Sequence, residues 1–365
     1  MNIGIISEVL ALNNRTGIGT YVYNLVNELN ATDYADINFC FIKFITDKQL
    51  LPEIVIPNNI PIFKRYPWYL TLPRALKNAN IDLVHNPTGI ATYFKFKQKY
   101  VLSVHDLTPL LYPETHPYGI VLHDKICFPR TLLTADIIIT GSKNTKNDII
   151  KSFNIPCEKI QVIYYAVQPY FKPQPDEEIQ RVKEKYGIDF PYILYVGTLE
   201  PRKNIITLLK AFSEIVNERT DFKLVIVGAK GWKYSGIFKF VNDHQLNNYI
   251  IFTDYVEHSD LPAIYSGAKV FVYPSLYEGF GFPPLEAMSC GCPVITSNSS
   301  SLPEVVDSAG ILVDPLDHHL LKESILEVIN DENLGKSLRE KGLVRAEFFS
   351  WKKCAQLTKE VYISL

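Results

Sequence analysis

A chain of 365 residues is long enough for two domains of ordinary size, and 47% hydrophobic residues suffice for two cores. The net charge of −2 argues against nucleic acid as the main partner. No apolar run reaches the roughly 18 to 20 residues needed to span a bilayer.

The first ten residues, MNIGIISEVL, lack a basic n-region and a cleavage site, and read as a first strand, Asn2 to Val9, rather than a signal peptide. A glycine-bearing loop, Asn13 to Gly19, follows and feeds a helix whose Val22, Leu25, Val26 and Leu29 share one face. Gly17 and Gly19 let backbone approach a ligand closely at that helix start, although a plain turn explains a lone Gly-x-Gly as well. Further strands are predicted at Ile37 to Phe44, Ile81 to His85, Tyr100 to Val104, Asp136 to Thr140 and Ile160 to Tyr165. Alternation of such runs with helical patterns predicts parallel sheets in α/β layers.

Two of these strands run into histidines, His85 and His105. Ligands of open α/β sheets gather at the carboxyl ends of strands, so both are candidates. Asp106 is placed to orient the His105 ring, and a satisfied structural histidine is the alternative for each. Between Lys64 and Lys99, seven cations (Lys64, Arg65, Arg74, Lys77, Lys95, Lys97, Lys99) face one acid, Asp82, with aromatics interleaved. The mixture suits an anionic membrane surface or an anionic acceptor, and equally a solvated loop region.

Gln168 to Pro175 is proline-rich and reads as an interdomain linker. The predicted division is 1–168 for the first domain, 169–350 for the second, and 351–365 for a final helix. Strand Tyr192 to Val196 opens the second domain. After it, Glu200-Pro201-Arg202-Lys203-Asn204 places two adjacent cations at a strand-to-helix junction, where they suit a diphosphate; Lys203 is expected to be exposed there. Strands Lys223 to Val227 and Tyr249 to Thr253 follow. The six cysteines (Cys40, Cys127, Cys157, Cys290, Cys292, Cys354) are scattered and read as reduced thiols of a cytoplasmic protein, with no metal site expected.

The most informative stretch runs from Tyr273 to Val305. A buried strand, Lys269 to Pro274, leads into a glycine loop, and Pro283 and Pro284 suit a helix start. Glu286 then falls in the first helical turn and Glu278 in the loop, with seven residues between them. Backbone N–H groups at such a junction seat phosphate, while carboxylates accept from sugar hydroxyls. A nucleotide sugar presents both. A milder reading is that Glu286 only opposes the helix dipole.

Glu278-Gly279-Phe280-Gly281-Phe282-Pro283-Pro284-Leu285-Glu286-Ala287, then Gly291-Cys292-Pro293-Val294-Ile295 and Ser299 to Val305, is similar to the signature of retaining glycosyltransferases of family 4. The resemblance implies a GT-B fold, two Rossmann-like α/β domains facing a cleft, with the last helix crossing back to the first domain. It implies an acceptor site in the first domain and a nucleotide-sugar site in the second. Catalytic roles fall on Glu278, His105, Asp106, Arg202 and Lys203. Donor contacts fall on Gly17, Gly19, Arg202, Lys203, Gly279, Phe280, Gly281 and Glu286. Glu278 is expected at the transferred sugar and Glu286 at the ribose, and either His85 or His105 near the sugar.

No Asp-x-Asp triplet occurs, so no metal clamp and no cofactor beyond the nucleotide-sugar co-substrate is expected. The resemblance around Gly197 to Asn204 leans toward mannose from GDP-mannose, with UDP-sugars open. The acceptor expected is a cell-surface glycan or lipid-linked saccharide, and the location cytoplasmic, at or near the inner membrane face. The rivals are an inactive nucleotide-sugar-binding protein and a GT-B epimerase or phosphorylase.

Overall fold

A computed structural model describes residues 1–6, 17–31, 37–44, 53–56, 76–77, 79–89 and 95–365. The chain divides into two compact units. One comprises 1–111, 118–165 and 351–365; the other comprises 112–117 and 166–350. Residues 112–117, which lie inside the first domain by sequence, thus group with the second unit.

The first unit is built from β1 (Asn2–Ile6), α1 (Gly17–Ala31), β2 (Asn38–Phe44), β3 (Glu53–Ile56), β4 (Leu83–Asn86), β5 (Lys99–Val104), α2 (Thr108–Leu111), α3 (Tyr118–Thr134), β6 (Ile137–Thr140), α4 (Lys143–Phe153) and β7 (Ile160–Val162). Its seven strands are all parallel, in the order β3-β2-β1-β4-β5-β6-β7. Strands such as Ile138–Ile139 and Val101–Leu102 have no exposed surface, as expected where helices cover both faces of a parallel sheet. The C-terminal segment, helical over Trp351–Ile363, belongs to this unit. Its Tyr362 hydroxyl lies 2.6 Å from His85 Nδ1, and its Trp351 stacks on Tyr165.

The second unit contains α5 (Asp176–Lys185), β8 (Tyr192–Val196), α6 (Ile205–Glu218), β9 (Lys223–Val227), α7 (Ser235–Asp243), β10 (Ile250–Asp254), α8 (Leu261–Gly267), β11 (Val270–Tyr273), α9 (Phe282–Ser289), β12 (Val294–Ser297), α10 (Leu302–Val306), β13 (Ile311–Val313), α11 (His318–Asn330) and α12 (Glu332–Glu347). Its six parallel strands run β10-β9-β8-β11-β12-β13. Both units therefore share a doubly wound order that reverses direction beside the first strand: between β1 and β4 in one, between β8 and β11 in the other. Ligands of such sheets bind outside the carboxyl ends at that reversal.

Candidate active site

In the second unit the reversal lies between β8 and β11, and the predicted site residues leave the carboxyl ends of these two strands. β8 runs into Gly197 and the short helical turn Pro201–Lys203; β11 runs into the loop 274–281. The two segments are stitched together by backbone: the N–H of Leu276 donates to the carbonyl of Arg202 at 2.9 Å. Asn204 adds a side-chain tie, its amide donating to the carbonyls of Pro274 and Pro315.

The serines of 297–301 fasten the loop from the other side. Ser297 and Ser299 donate to the carbonyls of Ser275 and Leu276 at 2.6 and 3.1 Å. Ser301 donates to the carbonyls of Glu278 and Phe280, and Ser300 Oγ accepts from the Glu278 N–H at 2.9 Å. This is what the serine run after β12 does: it converts a glycine loop into a fixed mount. Gly281 closes the loop at φ +117°, where a Cβ would lie 2.9 Å from Leu302 Cδ2, so glycine is required on two counts.

Glu278 is buried at the centre of that mount. Its Oε1 accepts from Lys203 Nζ at 2.7 Å, Ser275 Oγ at 2.6 Å and Tyr273 Oη at 3.0 Å; its Oε2 pairs with Arg202 Nη1 at 2.9 Å. Burial alone would raise its pKa. Arg202 and Lys203 outweigh it and hold the carboxyl at about 2. Arg202 also binds Glu200 at 2.6 Å and the Tyr277 carbonyl at 2.7 Å. Lys203 is buried rather than exposed, which corrects the sequence expectation. Its ammonium is accommodated by Glu278 and by the Tyr273 hydroxyl at 2.6 Å; burial, then Arg202, pull its pKa down. Two cations and the carboxylates of Glu278 and Glu200 thus form a closed quartet, the condition under which charges persist in a core.

Glu286 is held differently. α9 begins at Phe282 with Gly281 as its N-cap, so Glu286 lies in the second turn, not the first. Pro283 and Pro284 stand in the first turn, as expected of a helix start. The helix-dipole explanation therefore loses force, since that effect fades beyond the first turn. Glu286 is partly buried. Its Oε2 accepts from the Tyr265 hydroxyl at 2.9 Å, and among the described residues Oε1 has no partner. Burial raises its pKa to about 7, against the lowering by Tyr265. Phe280 turns its ring against Phe282 and Phe349, and its carbonyl accepts from Ser301.

In the first unit, His105 is partly buried. Its Nε2 lies 2.8 Å from the Pro87 carbonyl, which can only accept, so Nε2 carries the proton and Nδ1 accepts from the Tyr165 hydroxyl at 3.0 Å. Burial lowers its pKa, keeping the ring neutral. Asp106 does not hold the ring, contrary to expectation: its Oδ1 accepts from the Thr108 N–H at 2.9 Å and starts α2. His85 is fully buried, with Nδ1 on Tyr362 and Nε2 on Ser103 Oγ at 2.9 Å; burial drives its pKa to about 3. It is a structural pin between the sheet and the C-terminal helix, and His105 likewise has both ring nitrogens engaged within the protein. Gly17 and Gly19 stand in the first turn of α1, Gly17 exposed and Gly19 buried. The preceding residues 7–16 lie outside the described residues, as does most of 64–94.

Sequence reasoning did not find Tyr265, Tyr273 or Ser275, which orient the two carboxylates. For metals, Glu214, His318 and His319 are the described group whose ligand atoms converge, on α6 and α11. They are already satisfied as pairs at 3.3 Å, with Lys322 also 3.9 Å from Glu214.

The family model for group 1 glycosyl transferases matches residues 176–345, and that for glycosyltransferase family 4 matches 15–170. O-antigen chain mannosyltransferase B of Escherichia coli is 37% identical over 95% of this chain and 96% of its own. O-antigen chain mannosyltransferase RfbU of Salmonella typhimurium is 30% identical over 72% of this chain and 69% of its own. Among solved structures, Anabaena Alr3699/HepE in complex with UDP-glucose superposes with a TM-score of 0.79 over the whole of both chains at 16% identity, a likeness of GT-B fold.

Proposed function

The chain belongs to the glycosyltransferases of group 1 and family 4, and from that premise we propose that it moves mannose from GDP-mannose, with retention, onto a growing cell-surface glycan or lipid-linked saccharide. It is a hexosyltransferase that takes a nucleotide-sugar donor and a glycan acceptor. The observation that carries the reading is the convergence of Arg202, Lys203 and Glu278 at the carboxyl-end reversal of the second sheet, followed in α9 by Glu286, whose Oε1 has no partner among the described residues. Mannose is favoured because both O-antigen relatives are named mannosyltransferases.

In the reaction, the bond from the sugar C1 to the donor phosphate breaks and a bond from C1 to an acceptor hydroxyl oxygen forms. Arg202 and Lys203 stabilise the negative charge that grows on the leaving diphosphate, an electrostatic role that requires no metal. Glu278 is a poor covalent nucleophile, since four donors occupy it. Its Oε2, engaged only by Arg202, keeps a lone pair for a sugar hydroxyl. The leaving phosphate oxygen takes the acceptor's proton on the same face, which preserves the anomeric configuration. Glu286 Oε1 accepts from the ribose diol. Backbone groups of Gly279, Phe280 and Gly281 face the phosphates.

We place the enzyme in the cytoplasm, in peripheral contact with anionic membrane through 64–99. Lys77, Lys95, Lys97 and Lys99 are exposed there, while Phe96 is buried. The outer face of α3 supports the same contact: Tyr118, Leu122, Ile126 and Leu133, at helical spacing, are exposed beside Lys125 and Arg130. Among the described residues no helix is long and apolar enough to cross a membrane.

A calorimetric panel of nucleotide sugars tests the donor assignment. GDP-mannose should bind most tightly; tighter binding of a UDP-sugar would overturn it.

A further inference from the structure

The two site carboxylates are served by one aromatic ladder. Tyr273 and Phe271 of β11 stack at 5.8 Å and 20°, and Phe271 meets Tyr265 of α8 edge-on at 5.4 Å. Tyr273 gives its hydroxyl to Glu278 and Tyr265 gives its hydroxyl to Glu286. Both rings are fully buried. Glu278 also has two cations and a serine, so Tyr273 is one donor among four. Tyr265 is the single donor on Glu286.

We propose that Tyr265 is the positioning residue for nucleotide capture: its hydroxyl fixes Glu286 Oε2 and so turns Oε1, as a carboxylate, toward the ribose diol. The proposal rests on the ribose assignment of Glu286 made above. The ring can deliver its hydroxyl to one place only, because Phe271 packs against one side and Phe171 meets it edge-on at 6.1 Å. A single donor on a carboxylate half removed from water also sets how easily that group ionises. Among the described residues no charge on the elements packed against α9 shifts it, although α10 carries Glu304 in its first turn. Cys290, one turn along, is the neighbouring titratable group, with its own thiol pushed up by burial and by Glu286. From α12, Arg339 stands beside Gly291 and Cys292, and Arg345 binds the carbonyls of Glu304 and Val305 of α10. β11 presents Tyr273, committed to Glu278, and β12 presents no charged side chain. Glu286 therefore titrates near neutrality, and an ionised Glu286 is the form that accepts from two hydroxyls.

The test is the affinity for GDP, measured by calorimetry on either side of pH 7, for wild type, Tyr265→Phe, Tyr265→Met and Glu286→Gln. In wild type, GDP affinity should climb as pH rises through about 7. Both Tyr265 variants should move that climb to higher pH, with affinity at neutral pH falling by up to roughly tenfold for each unit of displacement. In steady-state assays the loss should appear mainly in KM. Phenylalanine preserves the packing on Phe271, and methionine removes the hydroxyl with a different shape, so a shared displacement reports the hydroxyl itself. A loss of affinity equal at every pH, or no loss, would overturn the proposal while leaving the ribose assignment standing, provided Glu286→Gln still weakens GDP. If Glu286→Gln leaves GDP affinity intact, the ribose assignment fails and this proposal fails with it.

Discussion

Glu278→Gln should cost the second unit a large share of its stability, even though the side chains are nearly isosteric. The folded unit holds this carboxyl at about 2, against an ordinary value of 4.5. That depression corresponds to about 3 kcal/mol favouring the charged, folded form. It agrees with the roughly 3 to 5 kcal/mol lost when one partner of a buried ion pair is removed. The sign is fixed by the direction of the shift: a depressed carboxyl contributes fully above its unfolded value and loses that contribution as pH falls through its folded one. Wild type should therefore lose stability between pH 4.5 and about 2 through this group, and the variant should lack that component. Chemical denaturation followed by the fluorescence of Trp232, which lies in the second unit, reads the effect. Lys203→Met in the Glu278→Gln background should recover part of the loss, because it removes the unpaired ammonium. A variant as stable as wild type at neutral pH would refute the reasoning, since the quartet would then contribute nothing net.

Other consequences are as direct. Gly281→Ala should destabilise by about 1 to 3 kcal/mol and lower turnover, through strain at the positive φ and the clash with Leu302; an unchanged melting temperature would contradict this. His85→Phe should loosen the C-terminal helix by removing the ring that Tyr362 bonds, Ser103 keeping Tyr21, a cost of about 1 to 3 kcal/mol readable as faster hydrogen exchange over 351–365. Excess chelator should leave transfer intact under the proposed role of Arg202 and Lys203 at the leaving group; a requirement for Mg²⁺ would remove that role from them.

Much of the second unit is legible in its sequence. Strands such as Tyr192–Val196 and Lys223–Val227 are short apolar runs closed by glycine, and a strand buried on both faces has no other way to look. The motif around Glu278 and Glu286 marks the candidate site, because both carboxylates and their glycine loop lie in one short stretch. What escapes is set by distance or by context. Helix α3 does not read as a helix with one buried apolar stripe, because Tyr118, Ile126 and Leu133 stand on its outer face and Pro129 lies within it. Tyr265 is 21 residues from the carboxylate it serves, and nothing local distinguishes its hydroxyl from that of Tyr192, which binds a helix carbonyl. Lys203 reads as a surface cation until Glu278, 75 residues on, is seen to close over it. Asp106 reads as a partner for its neighbour His105, yet the backbone turn at Thr108 claims it first.

The anomeric proton of the product reports whether mannose is transferred with retention. Purified protein is incubated with GDP-mannose and a mannose-terminated glycan acceptor, and the product is examined by NMR. Release of GDP and one new mannose in the α configuration of the donor is expected. A β-linked product would contradict retention, and transfer only from a UDP-sugar would contradict the donor. Conversion or binding of GDP-mannose without any transfer would contradict the enzyme as described.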